Sequence, residues 1–161
     1  MLKVRPIPKG QHIVTPGLAV QGADGFIKFC KKAFGAKELH RLSGPGGSVM
    51  HAEIEIGDSR IMVGDESPGM GNKSAKTLGG SPVSLHVYTK ECDAVFKKAV
   101  AAGATPLMPP TDMFWGDRYG RIEDPFGNTW GIATHIEDVT PQEMKKRAKA
   151  FAKSMAAPPA Q

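Results

Sequence analysis

The sequence predicts an α+β fold of two tandem βαβββ units followed by a C-terminal helix. Short alternating apolar and polar runs bounded by Gly, Pro and Asp come in two sets, each with one helical stretch after its first strand. The sets overlay: Leu18-Ala19-Val20 falls on Leu85-His86-Val87, Phe34-Gly35-Ala36 on Ala102-Gly103-Ala104, and Gly57-Asp58 on Gly127-Asn128. The offset drifts only from about 67 to about 70 residues, the mark of an internal repeat. After the second set, Thr140-Pro141-Gln142-Glu143 is a capping box, and Met144, Ala148, Phe151 and Met155 follow at helical spacing opposite lysines.

The chain of 161 residues has the length of one domain with a substantial core. Its net charge of +5 owes much to Lys145, Lys146, Arg147, Lys149 and Lys153, a solvated helix face. Without a recognition-helix or zinc-finger pattern, that excess predicts no nucleic-acid partner. Cys30 and Cys92 give no CxxC spacing and no disulfide framework, which suits a reducing, cytoplasmic setting. No signal peptide or membrane-length apolar run is visible, so no membrane association is expected.

Each element has its local reason. Residues 1–11 read as an N-terminal arm, and unit one spans residues 12–65. Its first strand is expected over residues 12–20, with Pro16 marking an edge or bulge. Asp24 is placed to cap a helix through Phe34, whose stripe holds Phe26, Ile27, Phe29, Cys30 and Ala33, and Gly35 ends it. Strands follow at residues 37–42, 49–56 and 60–63, the last two joined by Gly57-Asp58. Residues 66–80, rich in Gly, Pro, Ser, Asn and Lys, read as a linker loop. Unit two, residues 81–139, repeats the order with a strand at 83–88, a helix at 91–102 closed by Gly103, and strands at 105–108, 118–123 and 129–135. A helix over residues 140–155 and a disordered tail, 156–161, complete the prediction.

The stretch Met113–His135 carries more polar and aromatic groups than a core hairpin needs: Trp115, Asp117, Arg118, Tyr119, Arg121, Trp130 and His135 flank Asp124-Pro125-Phe126-Gly127-Asn128. Pro125 and Gly127 suit a tight turn. Phe114 and Trp115 are candidates to stack on a ligand and Arg118 to bind an anionic group, or else to pack and pair locally. Strand alternation puts Ser84, His86 and Tyr88 on one face, Thr129, Gly131, Ala133 and His135 on one face, and Asp65 in phase with Val63. His86 facing a cavity is a candidate acid, base or ligand, with Asp65 as a carboxylate partner; a locally satisfied imidazole is the plain alternative. Tyr88 and His135 join the ligand-binding candidates.

Several segments resemble the vicinal-oxygen-chelate superfamily (glyoxalase I, bleomycin-resistance proteins, extradiol dioxygenases), and within it the PhnB-like group. They are Val14-Thr15-Pro16, Phe34-Gly35-Ala36, Val49-Met50-His51-Ala52-Glu53, Leu78-Gly79-Gly80-Ser81-Pro82, Phe114-Trp115-Gly116-Asp117-Arg118-Tyr119-Gly120, Asp124-Pro125-Phe126-Gly127 and Ala133-Thr134-His135-Ile136-Glu137-Asp138-Val139. The resemblance implies a U-shaped mixed sheet around a cavity, a homodimer, and in metal-dependent members four strand ligands. Those places fall here on Thr15, Val63, Pro82 and Gly131, none an imidazole or carboxylate. No cofactor is therefore expected, and a divalent metal would need a relocated site. The expected function is binding of a small organic molecule by a dimer without the usual metal. The alternative is a lyase, isomerase or oxygenase-type enzyme using a relocated metal or a His/carboxylate acid–base pair.

Overall fold

Two four-stranded sheets, each backed by one long helix, share a single apolar core. The computed structural model describes residues 4–156. Unit one comprises β1 (Gly17–Val20), α1 (Ala23–Phe34), β2 (Lys37–Ser43), β3 (Val49–Ile56) and β4 (Ser59–Asp65). A connection with a short helix α2 (Ala75–Leu78) leads to unit two: β5 (Ser84–Tyr88), α3 (Cys92–Ala101), β6 (Thr105–Asp112), β7 (Asp117–Glu123) and β8 (Thr129–His135). Helix α4 (Pro141–Ala156) follows. Sheet one runs β1-β4-β3-β2 and sheet two β5-β8-β7-β6, each mixed, with its first strand parallel to its last.

The core lies between the helices and the faces they cover. Phe26, Ile27 and Cys30 of α1 pack with Ile54, Ile61 and Val63 of sheet one and with Phe96, Ile122, Trp130 and Ile132 of unit two. Trp130 has no exposed surface; its ring lies 4.5 Å from Phe34 and 6.3 Å from Phe26. The other faces of both sheets are open.

Five expectations need correction. The first strand begins only at Gly17: Pro16 cannot donate to the ladder, and Ile13 and Val14 are exposed. The linker is not a plain loop, because Ser74 accepts a hydrogen bond from the Thr77 N–H and caps α2, while the Glu66 carboxylate accepts from Ser74 N–H and the Thr77 hydroxyl. Those donors hold the Glu66 carboxyl down to about 2. Asp24 does not cap α1; it pairs with Lys28 and Arg41. Gly103 does not close α3 as Gly35 (φ 68) closes α1, since Ala102 ends that helix in the right-handed region. At α4, Thr140 accepts from the Glu143 N–H, but Glu143 turns to Arg147 rather than back to the cap. Phe151 rests against Phe114 and Met155 is exposed, and the predicted tail beyond Ala156 lies outside the described residues. Among the described residues no helix is long and apolar enough to cross a membrane.

Candidate functional site

The open face of sheet two gathers the aromatic candidates over a glycine. Antiparallel and parallel pairing set His86 and Arg121 beside Gly131, Tyr88 and Tyr119 beside Ala133, and Asp117 beside His135. These side chains point away from α3. A Cβ at Gly131 would sit 2.7 Å from Tyr119 Cε2 and 2.9 Å from His86 Nδ1, so both rings close over the space a side chain would fill. The two rings are 5.5 Å apart and nearly parallel at 8°. Tyr88 lies 4.7 Å from His86, and Trp115 5.7 Å from Tyr119. Arg121 is exposed on this face, and no ion pair engages it among the described residues.

One carboxylate fixes the arrangement. Asp117, 4% exposed, accepts from the Tyr88 hydroxyl (3.1 Å) and Trp115 Nε1–H (3.0 Å) on Oδ2, while His135 Nδ1 lies 2.9 Å from Oδ1. A buried carboxylate needs this many partners to offset lost hydration. Desolvation of its hydroxyl, and then the hydrogen bond to Asp117, push the Tyr88 phenol above its ordinary value, keeping it a protonated donor although the ring is largely exposed. His135 also reaches Asp138 through Nε2 at 3.0 Å, and Asp138, then Asp117, raise its imidazole above the usual value.

Other predicted site residues go elsewhere. Phe114 packs between Trp115 and Phe151, 5.1 Å from each ring, and anchors α4. Arg118, expected to hold an anion, points to the opposite face of β7, where its guanidinium donates to Asp93 of α3 and Asp112 of β6. It clamps helix to sheet, since fork-shaped donors suit two carboxylates. Asp65 and His86 are not brought together. Asp65 Oδ1 accepts from the N–H groups of Gly22 (3.1 Å) and Ala23 (2.7 Å), and Oδ2 from Val49 (2.7 Å), so it caps α1 from the end of β4. His86 makes no hydrogen bond to any carboxylate among the described residues. His51 and Glu53, 3.9 Å apart, lie on the open face of sheet one.

The places a family metal would use do not fit one. Val63 is buried against α1; the register partner of Gly131 in unit one is Gly64, because Ala19 pairs Gly64 as His86 pairs Gly131. Thr15 gives its hydroxyl to Gln11, Pro82 has no donor, and the room over Gly131 is taken by rings. Among the described residues no three His, Cys, Asp or Glu side chains form a group that could hold a metal. Cys92 is buried with its thiol on the Ile132 carbonyl, and burial raises the thiols of both Cys30 and Cys92, away from nucleophile chemistry.

Sequence reasoning missed Tyr119 and Arg121 as members of this face and Asp117 as its anchor. The signal was present: alternation along Asp117-Arg118-Tyr119-Gly120-Arg121 puts the first, third and fifth together. A cleft of about 930 Å³ runs along the free edge of β5, between the β3–β4 hairpin and the C-terminal end of α1, and its lining reaches His86 and Tyr88 of the open face.

Residues 11–132 match the Glyoxalase/Bleomycin resistance protein/Dioxygenase superfamily. An uncharacterized protein of Mycobacterium bovis is 40% identical over 135 residues, covering 82% of this chain and 89% of its own. A gene product of Arabidopsis thaliana of known structure is 31% identical with TM-score 0.63, over 76% of this chain and 98% of that one. A PhnB protein from Bacillus cereus, 21% identical, shares the fold with TM-score 0.61 over 76% of this chain and 99% of that one. With its duplicated βαβββ units and a family match across most of both, the chain belongs to the glyoxalase/bleomycin resistance protein/dioxygenase superfamily.

Proposed function

We propose that the protein binds a small planar organic molecule on the open face of sheet two, without a metal, as a homodimer whose second copy covers that face. The observation that carries this reading is Gly131. Where the family pattern puts a ligand, a glycine lies under His86 and Tyr119, with Tyr88 and Trp115 extending the ring surface. Stacked and edge-on rings recognise planar ligands, and the Asp117 hydrogen bonds hold Tyr88 and Trp115 in place before binding. Tyr88 is 65% exposed and Leu42 and Met50 of unit one are also open, apolar surface that a second copy would bury. The acid–base alternative draws less support, because Asp65 is spent on backbone N–H groups and sits in the other unit.

The two tryptophans give the test. Naphthalene and quinoline, titrated into 15N-labelled protein, are expected to shift the Trp115 indole N–H signal and leave that of Trp130 in place. Tyr119→Ala is expected to weaken binding at least 10-fold, about 1.4 kcal/mol. Neither probe moving Trp115, or a monomeric native mass at tens of micromolar, would refute the corresponding half of the proposal.

A further inference from the structure

The repeat makes the cleft beside β5 intelligible. In unit two, Glu123 pairs Thr129, leaving a five-residue hairpin, Asp124 to Asn128; in unit one, Ile56 pairs Ser59, leaving only Gly57-Asp58. The longer hairpin is rigid, since Asp124 accepts from the N–H groups of Phe126 and Asn128 and from the Asn128 and Trp130 side chains. It drives Phe126 onto the start of α1, edge-on to Phe26 at 5.8 Å and close over Gly22 and Gly25, while Pro125 reaches Gly103.

The cleft is the same place in the other half. Its walls include Val95 near the start of α3, Gly35 at the end of α1 and the short hairpin itself. These correspond in the repeat to Phe26, Gly103 and the 124–128 turn. What Phe126 fills in one half is left open in the other, because the hairpin is too short to carry a ring there. The floor is apolar (Phe34, Ile61, Leu85, Val87, Val95, Trp130) and the rim is cationic: Lys31, Lys32, Arg60 and Lys98, against the single carboxylate of Asp58. Lys31 is held by Glu38 at 2.6 Å, whereas Lys32 and Lys98 carry no ion pair among the described residues. Arg60 is already paired, with two carboxylates on the open face of sheet one. Its nearest carboxylates, Glu53 and Glu55, are 3.6 Å away, and its buried Nε has no hydrogen-bond partner.

We infer that this cleft, which meets the open face of sheet two along β5 at His86 and Tyr88, holds a second ligand position, for an aromatic molecule bearing a carboxylate or similar anion. The ring takes the place that Phe126 takes in unit two, and the anion meets Lys32 and Lys98 at the rim. A volume of about 930 Å³ accommodates a molecule of two or three fused rings.

The test uses 2-naphthoate and its neutral counterpart 2-naphthalenemethanol on the whole chain. Naphthoate is expected to shift the methyl signals of Leu85, Val87 and Val95 and the Trp130 ring, with Trp115 unmoved, and to bind at least 10-fold more tightly than the alcohol. Lys98→Ala with Lys32→Ala should erase most of that preference. Val95→Trp, which fills the cleft from within, should abolish the shifts; a thermal midpoint taken in parallel identifies a variant that has lost its fold, and Val95→Phe then serves instead. Equal binding of acid and alcohol, shifts confined to Trp115, or cleft signals that follow protein concentration rather than naphthoate (a second copy in the cleft) would each overturn the inference. Because Trp115 reports the open face and Trp130 the cleft, either site can fail while the other stands.

Discussion

The two βαβββ units share order, register and helix placement, yet they use the same positions for different ends. Each helix begins without a cap of its own, at Gly22 and at Glu91, and each is capped from the last strand of its unit. In unit one Asp65 takes three backbone N–H groups; in unit two Thr134 takes one, from Cys92 at 2.9 Å. In unit one the open face holds Glu53, Glu55 and Arg60; in unit two it holds stacked rings over Gly131 on a buried Asp117. Duplication supplied the frame, and the side chains at matched positions divided the work: unit one invests its polar groups in holding itself together, unit two in a surface.

Removing the feature that most separates the halves should have the largest effect. Phe126→Ala is expected to cost about 3 kcal/mol, because it strips a ring from the seam between the second hairpin and α1. Urea unfolding measures it, and a loss below about 1 kcal/mol would mean that the hairpin is not a plug. The caps come next. Asp65→Ala should cost about 2–3 kcal/mol and Thr134→Val about 1, in proportion to the backbone donors each leaves unmet. Equal losses would break the claim that unit one depends more on its strand-borne cap.

These roles mark where the sequence could be read and where it could not. Repeat, helices and hairpins follow from spacings within one unit, and the alternation that put His86 and Tyr88 on one face, and Gly131 with His135 on one face, needs only adjacent residues. Pairing β5 with β8 then joins the two sets. The destinations of Asp65, Arg118 and Phe126 depend on partners 16–43, 6–25 and about 100 residues away, beyond any local pattern. Arg118 illustrates the point: its neighbour Asp117 suggested an ion pair, but adjacent strand residues face opposite ways, and the carboxylates it found are on α3 and β6. Pro16 was legible as a disturbance, though not as the end of pairing.

A smaller, sharper contrast lies in the matched glycines. At Gly64 an added Cβ meets the Met50 carbonyl oxygen at 2.8 Å, backbone that cannot swing aside; at Gly131 it meets the ring atoms of Tyr119 and His86, which can. Gly64→Ala should therefore cost about 2 kcal/mol, while Gly131→Ala costs under about 1 but parts the stacked rings. The readout pairs unfolding with naphthalene binding: the first variant should lose stability and keep Trp115 shifts, the second the reverse.

The smallest effect is a pH response confined to unit two. Asp138 and then Asp117 raise the His135 imidazole above its ordinary value near 6.5, so the folded state holds that proton more tightly than the unfolded chain does. The sign follows: the stabilisation is complete below the unfolded value and is lost as pH rises through the raised folded one. His135→Gln should flatten the fall in stability across that window, above pH 6.5, and Asp138→Asn should narrow the window by removing the larger cause. The exposed imidazole keeps the effect small. Yet it is diagnostic, because His135 shares Asp117 with Tyr88 and Trp115. If the Asp117 cluster acts as one unit, the Trp115 indole N–H signal should titrate with the His135 ring, and in His135→Gln it should stop doing so. A Trp115 signal indifferent to pH in both proteins would mean that the carboxylate holds each partner independently.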